Sequence, residues 1–193
     1  MPVDEEQVEH PDRWIRLEAV HNFRDLGGYR AADGRRTRWR RLFRADGLHR
    51  LTPADLDRVR ALGVGRVIDL RTGREIDERG RYPVEAHVVD YHHLSVIDRT
   101  WDASEAENWG DDAAGFLRDR YAAMLDEAGD RFGRALRLLS EPFPDAIVFH
   151  CAAGKDRTGI LAALLLSGLG VDDDVVAADF AASEGAMERT RRW

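Results

Sequence analysis

Apolar and polar positions along this chain fall into short runs whose period switches repeatedly between two and about 3.6 residues. Trp14 to Val20 alternates apolar with other residues and predicts a strand, which Asp25-Leu26-Gly27-Gly28 breaks. Asp33-Gly34 marks a turn, after which Trp39 to Ala45 predicts a second short strand. Thr52-Pro53 reads as a helix start, a cap followed by proline at the first helical position. That helix carries Leu56, Val59 and Leu62 on one face and ends at Gly63. Arg66 to Leu70 predicts a short buried strand, Thr72 caps a brief helix through Glu78, and Ala86 to Leu94 is β-like. Residues 98–111 are acidic and irregular, as in a surface excursion. Two helical patterns follow, one with Phe116, Leu117, Tyr121, Met124 and Leu125, the next with Phe132, Leu136, Leu138 and Leu139. Pro142 and Pro144 end the second. Ala146 to His150 is a compact apolar strand, and Arg157 to Leu169 a strongly apolar helix closed by Gly170. Asp172 to Asp174 open a further helix, where acidic side chains suit the positive end of the dipole. Strands alternating with helices predict an α/β fold, a central and largely parallel sheet flanked by helices.

Composition narrows the class. The 193 residues suit one domain, read as a disordered lead-in over 1–12 followed by a single domain over 13–193. At 44% hydrophobic the chain has enough apolar mass for a real core, and no repeat divides it. The formal charge of −7 argues against a nucleic-acid partner. Cys151 is the one cysteine, so no internal disulfide exists. The acidic N-terminus lacks the features of a signal peptide. The longest apolar run, Ile160 to Leu166, falls far short of the roughly 20 residues a membrane span needs. A cytoplasmic protein without integral membrane contact is expected, although signal-independent secretion leaves no mark to read. Among the 29 basic residues, Lys155 alone is lysine, so its position is more informative than that of any single arginine.

That lysine falls in the segment where the chemistry concentrates, His150-Cys151-Ala152-Ala153-Gly154-Lys155-Asp156-Arg157-Thr158-Gly159, between an apolar strand and an apolar helix. A loop that opens a helix turns backbone N–H groups toward its concavity and makes an anion site with the helix dipole. Five residues separate Cys151 from Arg157, enough to wrap a tetrahedral oxyanion, and Gly154 permits the sharp path. Arg157 offers a planar fork for two phosphate oxygens. Such positive surroundings depress a thiol from its free pKa of about 8.5 and favour a thiolate nucleophile. Thr158 is placed to hydrogen-bond the sulfur. A nucleotide-binding P-loop is excluded, because Gly154-Lys155 is followed by Asp156 and the leading glycine is missing.

His150 to Gly159 resembles the signature loop of the cysteine-dependent protein tyrosine phosphatases. The Gly154-Lys155-Asp156-Arg157 variant is similar to the bacterial tyrosine phosphatases of the mycobacterial PtpB type, whose loop is phosphoinositide-phosphatase-like. The resemblance extends through Asn22-Phe23-Arg24-Asp25-Leu26-Gly27-Gly28-Tyr29, Leu42-Phe43-Arg44-Ala45-Asp46, Leu51-Thr52, Ile68-Asp69-Leu70-Arg71-Thr72 with Glu75, and Val176 to Ser183. Relatives of this type continue further, so the chain is read as a short or C-terminally truncated form. The resemblance implies hydrolysis of phosphate monoesters through a phosphocysteine, with no metal and no cofactor. Its substrates would be phosphorylated proteins, on tyrosine first and also on serine or threonine, or phosphoinositides. Cys151 becomes the nucleophile and Arg157 the phosphate clamp. Ala152, Ala153, Gly154, Lys155 and Asp156 become the loop around the phosphate, with Lys155 adding charge at its mouth. Arg44 is drawn toward the pocket as a further phosphate contact. The competing class is a catalytically inactive module that sequesters phosphorylated partners, and a rhodanese-like or arsenate-reductase-like thiol enzyme is a third.

Expelling a tyrosine oxygen calls for a general acid. Asp69, at the end of its strand, is the first candidate and Asp156, inside the loop, the second; Asp98, where the acidic excursion begins, is the third. Three further features carry bland readings. The eight arginines from Arg30 to Arg50 read as a solvated or salt-bridging face, His87 with His92-His93 lacks a metal-ligand spacing, and Phe116 to Leu125 reads as core-facing with a mobile lid as the alternative.

Overall fold

A five-stranded sheet runs through the molecule in the order β1-β2-β5-β3-β4. Its strands are β1 (Arg24–Asp25), β2 (Leu42–Ala45), β3 (Val64–Asp69), β4 (Asp90–His93) and β5 (Ala146–His150). Only the β1–β2 pair is antiparallel. The structure is a computed structural model and describes residues 5–98 and 113–186. The helices are α1 (Glu5–Val8), α2 (Pro53–Ala61), α3 (Gly73–Arg79), α4 (Ala113–Ser140), α5 (Asp156–Gly168) and α6 (Asp173–Ala181). The acidic stretch expected to be irregular lies, beyond Asp98, outside the described residues.

Period-two alternation in a buried strand sends side chains to opposite faces, and β5 shows it. Ile147 and Phe149 join a core with Ile68, Phe132, Leu161 and Val175, beneath α4, α5 and α6. Val148 and Ala146 join a second core with Phe23, Phe43, Leu56 and Val67, beneath α2. Being covered on both sides, β5 is buried at every residue, as a central parallel strand requires.

The helix signals hold locally. Thr52 caps α2 and Thr72 caps α3, each in a reciprocal box with the residue three further on, Asp55 or Glu75. Gly63, with φ of 71°, turns the chain directly from α2 into β3. Asp172 caps α6 through the amide of Asp174.

Several expectations change. Trp14 to Val20 is not a strand; among its residues only Trp14 bridges, to Arg24, while Ile15 and Leu17 pack on the second core from irregular chain. β2 begins only at Leu42, because Arg40 sits at a positive φ of 59° and interrupts the extended run. The two helical patterns after residue 112 are one helix, α4, kinked at Ala128, whose φ of −119° departs from helical geometry. The segment read as a disordered lead-in carries α1, with Val8 buried against the first core.

Candidate active site

β2, β5 and β3 run parallel, so their carboxyl ends meet along one edge of the sheet, where ligand sites of such sheets form. His150 ends β5 and Cys151 follows it, with Asp69 in register beside His150. The chain then turns through Gly154 and enters α5 at Asp156. Gly154 has a φ of 68°, and a Cβ there would lie 2.6 Å from the Ala45 carbonyl oxygen. Only glycine meets both demands.

Three successive carbonyls of the loop are tied outward. Gly47 N–H donates to Ala152 O at 3.0 Å, Asn22 Nδ2 to Ala153 O at 3.1 Å, and Arg44 Nη2 to Gly154 O at 2.9 Å. In a trans peptide the N–H points opposite to the C=O, so the amides of Ala153, Gly154 and Lys155 turn toward the loop's interior. Gly154 N–H accordingly donates to Cys151 Sγ at 3.3 Å. Cys151 as a residue is buried, at 2% exposure.

Arg157 is buried on the first turn of α5, and Glu75 on α3 receives its fork through two parallel bonds, Nη1 to Oε2 at 2.6 Å and Nη2 to Oε1 at 2.9 Å. A guanidinium has five N–H groups, so three remain. Burial acts to raise the Glu75 carboxyl, but the Arg157 charge and the Thr72 amide outweigh it and hold the group at about 2. The resulting cleft has a volume of about 440 Å³ and is bordered by Ala152, Asp156, Arg157, Arg74, Arg79 and Met124.

The other predicted residues sort into three places. Asp156 faces the cleft and receives the hydroxyl of Tyr121 from α4. Lys155 precedes α5 as its cap residue and is partly exposed. Asp69 is fully buried and accepts from Arg71 Nη2 at 2.6 Å, the Arg71 amide at 3.0 Å and the Tyr91 hydroxyl at 2.9 Å. Burial alone would raise this carboxyl; the charges of His150 and Arg71 and the bonds from Arg71 hold it well below the usual carboxylate range. Asp98 is exposed and pairs with Arg131 at 2.9 Å.

Two expected contacts are corrected. Arg44 is fully buried and does not reach the cleft. Its guanidinium grips Asp179 on α6 and the Gly154 carbonyl, behind the loop. Desolvation, partly offset by Asp179, pulls it down to about 10. Thr158 does not bond the sulfur: its buried hydroxyl has no partner among the described residues. The donor that meets Sγ is the Gly154 amide, which the positive φ turns inward.

Four supporting residues had no role assigned from sequence. Glu75, Asn22 and Asp179 show there only as members of matching segments. Asp179 is buried between Arg24 Nε at 3.0 Å, Arg44 and the Tyr29 hydroxyl at 2.9 Å. Gly47 has no signal beyond its neighbour Asp46, whose carboxylate caps the amides of His21 and Asn22.

A model of the tyrosine phosphatase family matches residues 15–193. The chain is 32% identical over 201 residues to the triple specificity protein phosphatase PtpB of Mycobacterium tuberculosis, covering 91% of this chain and 71% of that one. It is 33% identical over 141 residues to a tyrosine-protein phosphatase of Nostoc commune, covering 73% of this chain and 47% of that one. A solved structure of P. aeruginosa TpbA is similar at 13% identity, with a TM-score of 0.41, over 89% of this chain and 78% of that one. The matched span contains the loop, the residues that tie its carbonyls outward and the Glu75 partner of its arginine, and the chain belongs to the tyrosine phosphatase family, as a phosphatase of the PtpB type.

Proposed function

We propose that the chain hydrolyses phosphate monoesters, phosphotyrosine first among them, through a phosphocysteine on Cys151. The observation that carries this reading is the outward tying of the Ala152, Ala153 and Gly154 carbonyls. It aims preorganised N–H donors at the position where a phosphate above Sγ develops charge, without reorganisation during the reaction. The N–H groups of Arg157 that Glu75 leaves free complete the cradle.

In the first step Cys151 Sγ attacks phosphorus, the S–P bond forms and the ester P–O bond breaks. A proton passes to the leaving oxygen. In the second step water attacks phosphorus, the S–P bond breaks and the same carboxylate takes the water proton. Asp156 is assigned as that acid in preference to Asp69. A proton donor must reach the leaving group. Asp156 borders the cleft, whereas Asp69 is ionised, buried and already held by Arg71 and Tyr91. Asp69 then braces Arg71 and the end of β3. Lys155 adds a positive charge to the loop that suits substrates with further phosphates, so phosphoinositides are included in the proposed range, and the likeness to a triple specificity phosphatase adds phosphoserine and phosphothreonine.

The test is hydrolysis of an aryl phosphate without added metal, wild type beside Cys151→Ser. The Ser variant should lose turnover yet retain phosphate binding. Equal rates from both proteins would remove the phosphocysteine.

A further inference from the structure

The active site makes use of one arginine of the Arg30–Arg50 cluster, Arg44. Four others, Arg35, Arg36, Arg38 and Arg41, border a second cavity of about 460 Å³. It lies at the opposite edge of the sheet. Leu42 starts β2 and Ile147 stands at the amino end of β5, while Leu165, Leu166 and Leu169 come from the last turn of α5 or just beyond it. The same helix begins at the catalytic loop, so the two cavities are about 18 Å apart along its axis.

Floor and rim differ in chemistry. Leu26, Leu42, Leu139, Ile147 and Leu166 make the floor, all of them part of or packed against the first core. The rim carries four guanidinium groups against one carboxylate, Glu141, in a chain of net charge −7. Arg36 reaches the Gly28 carbonyl and Arg41 the carbonyls of Phe143 and Pro144, bonds that position both groups without neutralising them. Arg35 pairs with Asp33. Arg38 is exposed and has no hydrogen-bond or ion-pair partner among the described residues. The volume falls within the range of small-molecule sites, which combine an apolar lining with a few placed polar groups.

We infer that this cavity binds a single-chain anionic amphiphile, its alkyl tail on the leucine floor and its carboxylate or phosphate head on the arginine rim. The head matches a guanidinium fork and the tail replaces water over buried leucines. The site is separate from the catalytic cleft, and the inference does not depend on the chemistry proposed for Cys151.

Calorimetry with decanoate below its micellar concentration tests it. One-to-one binding is expected, weaker with decanol and absent with decyltrimethylammonium. Affinity should rise about fourfold for each methylene added and level off once the cavity is full. Arg38→Glu and, separately, Leu169→Asp should each weaken binding at least tenfold and leave aryl phosphate hydrolysis unchanged, which also certifies their folding. Four results would overturn the assignment. They are no saturable binding, equal binding of the cationic amphiphile, unchanged affinity in both variants, and displacement by inorganic phosphate in a manner that Cys151→Ser alters. Binding to phosphatidylglycerol vesicles without binding of monomeric decanoate would overturn it too, by making this face a membrane surface.

Discussion

Arg44 holds the carbonyl of Gly154 at 2.9 Å, while the amide of the same Gly154 holds Cys151 Sγ at 3.3 Å. One residue thus transmits the position of a buried arginine to the nucleophile. Arg44→Lys keeps a cation beside Asp179 but loses the planar reach to the loop. We expect kcat to fall about 10- to 100-fold, since small misplacements of a reacting atom are costly. KM should change little. A drop in thermal stability with kcat intact would reduce Arg44 to scaffolding.

Arg157→Lys should lower kcat by 10²-fold or more, because a point charge cannot replace a fork that serves Glu75 and phosphate together. Near-normal turnover in the Lys variant would show that the fork is not needed.

The Glu75–Arg157 pair also has a pH signature. Glu75 titrates at about 2 in the folded protein against an ordinary 4.5. A depressed carboxyl adds stability that is complete above the unfolded value and disappears as pH falls through the folded one. The shift corresponds to about 3 kcal/mol at neutral pH. Denaturant unfolding of wild type and Glu75→Gln should therefore differ by a constant amount above about pH 5 and converge toward pH 2. A gap independent of pH would mean that the charge is not what stabilises the contact.

Asp156→Asn should slow aryl phosphates with a basic leaving group by about 10²-fold or more and largely spare activated ones. Asp69→Asn should slow both kinds alike, by loosening Arg71. The opposite pattern, with leaving-group dependence appearing in the Asp69 variant, would return the acid to Asp69.

Gly154→Ala meets a positive φ and the Ala45 carbonyl at once. It should destabilise by more than about 1 kcal/mol and abolish most turnover. Gly133→Ala, in the body of α4 with only a distal Arg137 atom at 3.8 Å, should stabilise by up to about 1 kcal/mol and so raise the melting temperature. Thermal denaturation of the two side by side checks both signs.

What could be read in the sequence was local. The β5 strand, the loop and the start of α5 each follow from residues within a few positions, as do the boxes at Thr52 and Thr72. Those signals survive because a cap or a turn needs only its neighbours. Trp14 to Val20 misled for the same reason: alternation measures which residues face a core, and irregular chain packed on a core can present the same sides. The roles of Asn22 and Arg44 stayed hidden because each acts on a backbone carbonyl, 131 and 110 residues away respectively. A carbonyl has no residue identity, so no pattern of letters announces the contact. Glu75 stands in a matching segment, but nothing there marks it as the partner of Arg157, 82 positions later.

The order β1-β2-β5-β3-β4 has a further consequence, for how the molecule is made. β5 is last in sequence among the strands of the described residues yet sits between β2 and β3. Until residues 146–150 arrive, β2 and β3 each present an open edge to the gap, and neither core has its middle. A chain emerging from the ribosome therefore carries a sheet in two halves through most of its synthesis, dependent on non-local pairing and open to wrong partners. The strand that closes the gap is also the one that delivers Cys151. Closure of the sheet and delivery of the nucleophile are therefore a single event, and a chain whose sheet is still open has no thiol to act with.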